Sequence, residues 1–224
     1  MLRRGQLEIV GRLTEASNAT FLCQIDSVRA VYKPTRGERP LDDFPIGTLA
    51  QREAAAYLLS EATGWEVMPP TVLRDGPYGQ GMVQLWIETD PDSDVVEMIV
   101  TDDPRLRAIC VFDVLANNAD RKGGHLLPVA GGHVYGVDHG ICFAVEPKLR
   151  TVLWAWRGQK LAQAEMEVVR GVCDQVEGEL GLRLTELLSA DEVRATSLRA
   201  KNLLKVGRFP QPDPNRPALP WPPF

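Results

Sequence analysis

A lysine, a glutamate, two aspartates and a histidine occur along this chain in an order suited to moving a phosphoryl group. Residues 111–127 read VFDVLANNADRKGGHLL, and residues 134–140 read VYGVDHG. Phosphoryl transfer needs a cradle for phosphates, a cation held against them, a metal-bound carboxylate and a group that orients the nucleophile. The polar turn at 14–20 offers Ser17, Asn18 and backbone N–H groups as a cradle, in place of a glycine-rich loop. Lys33 ends an apolar run and supplies the cation, with Glu53 as the partner that would hold its ammonium. Asp120 is the candidate catalytic base, and Arg121 would support its loop by pairing with a nearby carboxylate or with substrate. His125 stands fifth after Asp120, where the D-x-x-x-x-N pattern places a metal-binding asparagine. Asp138 matches the D-x-G carboxylate that joins metal to phosphates. Singly, each has an ordinary explanation: a hairpin turn, a solvated lysine, a turn aspartate, an Asx-turn before Gly140. Their joint order is what argues for chemistry.

The elements needed to position these residues are legible. Short β-type runs at 6–13, 20–25 and 29–34 predict an antiparallel meander, followed by a polar, Gly- and Pro-rich loop at 35–47. A helix is expected over 48–63, with Thr48 as N-cap, Gly64 as stop, and Glu53 at the edge of its apolar face. Strands at 67–73 and 80–87 would flank a turn at Asp75-Gly76. Beyond residue 103 the pattern turns helical: 104–117, then a loop at 118–124, short strands at 125–129 and 133–137, an amphipathic helix over 161–180 ended by Gly181, and a helix opened by the capping box at Ser189. The segment 207–224 holds seven of the 17 prolines and should be extended. The fold class is therefore α+β in two lobes: residues 1–88 form a sheet lobe with one helix, 89–206 a mainly helical lobe, and 207–224 a Pro-rich extended tail.

Composition sets the outer bounds. The 224 residues, 44% of them hydrophobic, suffice for one large unit or two packed lobes. A net charge of −5 argues against nucleic-acid binding, which needs clustered cations. No apolar run approaches the roughly 18 residues of a membrane span, and no signal peptide is visible, so stable membrane insertion is not expected and a cytoplasmic location is. Four widely spaced cysteines in apolar segments predict buried, reduced thiols.

FDVLANNADRKGGH followed by YGVDHG resembles the atypical kinases of the phosphatidylinositol 3-/4-kinase-like superfamily and the related HipA-like kinases, and is similar to an actinobacterial branch of them. The resemblance spans residues 10–145. It implies a bilobal protein-kinase-like fold using ATP and Mg²⁺, with Lys33 on phosphate, Glu53 as its partner, Asp120 as base, and His125 and Asp138 as metal ligands. It also implies that backbone around Gln84 to Glu88, in GMVQLWIE and with Gln84, Leu85 and Trp86 as the named members, forms the hinge that holds adenine. An imidazole at position 125 would favour Mn²⁺ over Mg²⁺, because magnesium prefers oxygen donors. The partners expected are a nucleotide and a protein or small-molecule hydroxyl as acceptor. A nucleotide-binding pseudokinase and an AMP-transferring enzyme are the alternatives on the same scaffold. A hydrolytic metal cluster of His125, His133, Asp138 and His139 is disfavoured, since His133 and His139 have opposite parity on a strand. Trp154 and Trp156 would pack the helical lobe or wall the substrate; a loosely held tail is the default, with docking of Trp221 and Phe224 onto the body, or partner binding by the P-x-x-P pattern of Pro214, Pro217 and Pro220, as the alternatives.

Overall fold

The structure, a computed structural model, describes every residue except Glu15 and Ser17. The phosphate-cradle role expected of Ser17 therefore lies outside the described residues. Five strands form one antiparallel sheet in the order β1-β2-β3-β5-β4, comprising β1 (Leu7–Arg12), β2 (Phe21–Ile25), β3 (Val28–Pro34), β4 (Thr71–Gly76) and β5 (Gly79–Leu85). Period-two alternation sorts the faces of β3. Ala30 and Tyr32 enter a sheet core with Leu7, Cys23, Ile25 and Val83, whereas Val31 and Lys33 point to the other side, into the cleft. The hairpin joining β4 and β5 pairs Gly76 with Gly79, so the turn falls at Pro77-Tyr78 and β4 begins four residues later than expected. Pro69 and Pro70 account for the late start, since neither can donate to a ladder.

Helix α1 (Leu49–Thr63) ends at Gly64, whose φ of 66° is the left-handed cap that glycine adopts without penalty. Its start differs from expectation. Thr48 is already helical and caps nothing with its side chain. Instead Glu38, eleven residues upstream, accepts the Leu49 and Ala50 N–H groups at 3.1 and 2.8 Å. A carboxylate at a helix N-terminus both satisfies orphan donors and meets the positive end of the dipole. Arg52, on the same helix, is buried. It reaches Glu192 at the far end of the chain and donates to the Cys142 carbonyl at 2.7 Å.

The helical lobe holds α2 (Val95–Val100), α3 (Arg107–Ala116), α4 (Gln163–Val176), α5 (Glu179–Thr185) and α6 (Ala190–Val206), with a small ribbon of β6 (Leu126–Pro128) and β7 (Val134–Gly136). The main core draws on Ala55, Ala56 and Leu59 of α1, Ile109, Phe112 and Leu115 of α3, Val169 and Val172 of α4, and Leu203 of α6. Helix α1 is thus shared: its sequence neighbours are strands, but its apolar face lies in the helical core. The single helix expected over 161–180 is two. Gly178 turns the chain, and Gly181 is a packing glycine rather than a stop, because a β-carbon there would overlap the Val176 carbonyl. Helix α2 was not anticipated; Asp94 caps it through the Val96 and Glu97 N–H groups at 2.8 and 3.1 Å. The Ser189 capping box opens α6 as expected.

The proline-rich segment after α6 is pinned along the body. Gly207 and Phe209 bond with Leu161, Gly158 and Gln159, and the Ala218 carbonyl accepts from Thr151 N–H and Trp154 Nε1. All four cysteines are free and buried. No helix among the described residues is long and apolar enough to cross a membrane.

Candidate active site

Lys33 is the centre of the cleft. Its ammonium lies 2.9 Å from Glu53 Oε1 and 2.8 Å from Asp138 Oδ1. The second oxygen of Glu53 accepts the His139 N–H at 2.9 Å, so one carboxylate fixes both the strand lysine and the loop that carries Asp138. Asp138 holds φ at 62°, a left-handed conformation that aspartate tolerates better than bulky residues do. Burial opposes the charge on Lys33, yet Asp138 and Glu53 together raise its pKa above the ordinary lysine value. The Lys33 ammonium in turn holds the Asp138 carboxyl well below the usual carboxylate range.

The loop bearing Asp120 is built from buried polar groups. Asp113 stands among Val111, Phe112, Val114 and Leu115 on α3. It is met there by Arg121 at 2.8 and 2.9 Å and by Asn118 Nδ2 at 2.9 Å. Asn118 Oδ1 then accepts the Asp120 N–H at 2.9 Å, which sets the direction of the loop. Arg121 is fully buried and also donates to the Val137 carbonyl, so it reaches no substrate; it is a positioning residue that ties the 120 loop to the 138 loop. Asn117 performs a similar task, donating to Ala144 and Glu146 and accepting from Lys148. Burial raises the Asp120 pKa, against the opposing influence of Lys122 3.6 Å away. Lys122 was missed from the sequence, as were Asp113 and Asn118. The detectable signal was Asp113: a carboxylate within an apolar helix requires a buried partner.

His125 stands beside Asp138, with Nε2 3.3 Å from Oδ2. Its Nδ1 accepts the Lys122 N–H at 3.4 Å, which leaves the proton on Nε2, directed at Asp138. Burial pushes its pKa down to about 4, against the pull of Asp138, so the ring is neutral near pH 7. His139 is buried against Arg121 and Phe112, while His133 bonds to the Glu66 carbonyl; among the described residues no three His, Cys, Asp or Glu side chains form a metal-holding group.

Two cavities meet at Asn18, Lys33, His125 and Asp138. One, about 550 Å³, also holds Glu53, Asp120 and Lys122. The other, about 510 Å³, runs along Val31, Leu13, Leu127 and the strand exit from Gln84 to Thr89. Asn18 Oδ1 accepts the Arg39 N–H at 2.8 Å, linking the cradle turn to the loop before α1. At the strand exit the Leu85 and Trp86 N–H groups are spent on Pro70 and Arg29 carbonyls, and Gln84 uses its side chain on Thr71. The Ile87 and Glu88 N–H groups have no partner among the described residues, and Trp86 Nε1 is a buried donor without one. Within the stretch Gln84–Glu88, the backbone N–H groups left free are therefore those of Ile87 and Glu88.

No protein-family model matches the chain. Protein Rv2133c of Mycobacterium tuberculosis is 43% identical over 263 aligned positions that span 100% of this chain and 94% of the relative. The chain belongs to the Rv2133c family. The crystal structure of CtkA, a proinflammatory kinase of Helicobacter pylori, matches with a TM-score of 0.53 over 93% of this chain and 94% of that one, at 10% identity. At that identity the likeness concerns fold, and it establishes a kinase-like bilobal α+β architecture for this member of the Rv2133c family.

Proposed function

We propose that the chain is an ATP- and divalent-metal-dependent phosphotransferase, an atypical kinase of the phosphatidylinositol 3-/4-kinase-like and HipA-like kind, acting on a protein or small-molecule hydroxyl. The observation that carries this reading is the Lys33 ammonium clamped between Glu53 and Asp138, with Asp120 in the wall of the same cavity. The donors present fit a nucleotide. Free N–H groups at Ile87 and Glu88 and the orphaned Trp86 Nε1 lie at one end, and the lysine lies at the other. They also fit a metal carried on phosphates, because magnesium sites of this type use one or two carboxylates and take their remaining ligands from phosphate and water.

In this reading residues 1–88 supply the cradle and hinge, and 89–206 the catalytic and metal loops. Lys33 and the turn around Asn18 hold phosphates. Asp138 is the metal ligand, and the His125 Nε2–H orients its carboxylate; His125 itself becomes a ligand only after its proton shifts to Nδ1. A bound divalent metal neutralises charge on the phosphates. Asp120 accepts the proton of the acceptor hydroxyl as that oxygen bonds to the γ-phosphorus and the bond to the ADP oxygen breaks. Lys122 balances charge beside it.

Thermal unfolding with MgATP or MnATP tests this: binding to the folded state raises Tm, and Asp138→Ala should lose the metal-dependent part of the rise. No shift with any nucleotide sinks the reading. A second reading, a pseudokinase that binds without transferring, is favoured by the engagement of both Asp138 oxygens by Lys33 and His125. Incubation with γ-labelled and α-labelled ATP separates phosphoryl transfer, AMP transfer and neither.

A further inference from the structure

The proline-rich segment ends against the catalytic loop. Gly123 N–H donates to the Pro223 carbonyl at 2.8 Å, and the Phe224 ring packs so closely that a β-carbon at Gly123 would overlap it. Pro222 and Phe224 line the cavity that contains Asp120, Lys122 and Asp138. They do not line the cavity on the hinge side. Arg39 and Leu41 line the same cavity, in a loop that is itself fastened to Asn18 and, through Glu38, to the start of α1. Upstream, the Ala218 carbonyl holds the segment with bonds of 3.2 Å to Thr151 N–H and 2.9 Å to Trp154 Nε1. The Trp154 indole thus anchors this segment.

We infer that Pro222 and Phe224 determine acceptor specificity: they close the acceptor side of the catalytic cavity, so the acceptor is a small hydroxyl-bearing molecule and not a protein chain. This rests on the phosphotransferase reading. A cavity of about 550 Å³ that must also take the phosphate end of ATP leaves room for a metabolite-sized acceptor. A protein loop approaching Asp120 meets the Phe224 ring and reaches the carboxylate only when residues 219–224 lift.

The test compares the full chain, Phe224→Ala and a chain ending at Ala218, with water and glycerol as small acceptors and dephosphorylated casein as a protein acceptor of γ-labelled ATP. The full chain should label only the small acceptors, and both variants should gain casein labelling by tenfold or more, with an unchanged MgATP binding midpoint. Hydrogen exchange at the Gly123 amide should be slow in the full chain and fast in the shortened one. The inference is overturned by equal casein labelling in all three forms, by equal Gly123 exchange, or by MgATP binding without transfer to any probe. Absence of MgATP binding is a separate outcome: it removes the phosphotransferase reading and this inference with it.

Discussion

Asp120 and His125 face the same cavity with opposite titration behaviour. The Asp120 carboxyl is raised by burial and the His125 imidazole is lowered by it, so one proton acceptor is strengthened and the other is kept neutral. In the proposed reaction Asp120 acts on the acceptor rather than the nucleotide, so Asp120→Asn should lower turnover by about 10²–10⁴-fold and leave MgATP affinity within twofold; equal loss of both would assign it to binding. The histidine predicts a pH dependence with a definite sign. Its pKa in the folded chain, about 4, lies below the ordinary 6.5. Below pH 6.5 the unfolded chain takes up a proton that the folded chain refuses, so stability is full above that pH and falls as pH drops toward 4. His139, buried and likewise lowered, acts in the same direction. Urea unfolding between pH 7 and 4.5 should show a loss on the order of 1–3 kcal/mol, and His125→Gln should flatten part of that slope. The sequence exposed Lys33, Glu53, Asp120 and Asp138 because charged residues at the edges of apolar runs stand out. It did not expose which of the His125 nitrogens carries a proton, since that follows from the Lys122 amide brought beside it by a turn.

At the level of elements, the loop bearing Asp120 depends on a buried ion pair between α3 and the residue after Asp120. Removing either Arg121 or Asp113 leaves an uncompensated charge at nearly zero exposure, so Arg121→Met and Asp113→Asn should each cost about 3–5 kcal/mol. The double variant should cost clearly less than their sum, measured as a double-mutant cycle by denaturant unfolding; additivity would mean that the pair is not coupled. The helices and strands around this loop were largely readable, because their periodicities are local. The misreadings have non-local causes. Thr48 looked like a cap, but the cap arrives from Glu38 through the fold of the intervening loop. Within the stretch Gln84–Glu88, pairing of β5 with neighbours on both sides, continued by Arg29 and Pro70, consumes the first three amides, which no local pattern announces. Proline content made 207–224 extended and gave no sign of where it would lie.

For the molecule as a whole, the division into lobes is real in architecture but not in packing, because α1 belongs to both. Its carboxylate at Glu53 serves the sheet lysine, and its Arg52 is buried against Glu192 and the Cys142 carbonyl of the helical lobe. That clamp has a kinetic consequence. A helix fastened on one side by a buried arginine and on the other by the helical core must break those contacts to rotate Glu53 away from Lys33. The lysine site is assembled before any ligand arrives, so progress curves for turnover should begin linearly, with no lag and no gain from preincubation with ATP. Arg52→Met should introduce the missing delay, read as a lag that preincubation shortens. In a chain wired this way any delay in the proposed reaction belongs to the entrance of the cavity and not to the making of its lysine–carboxylate clamp.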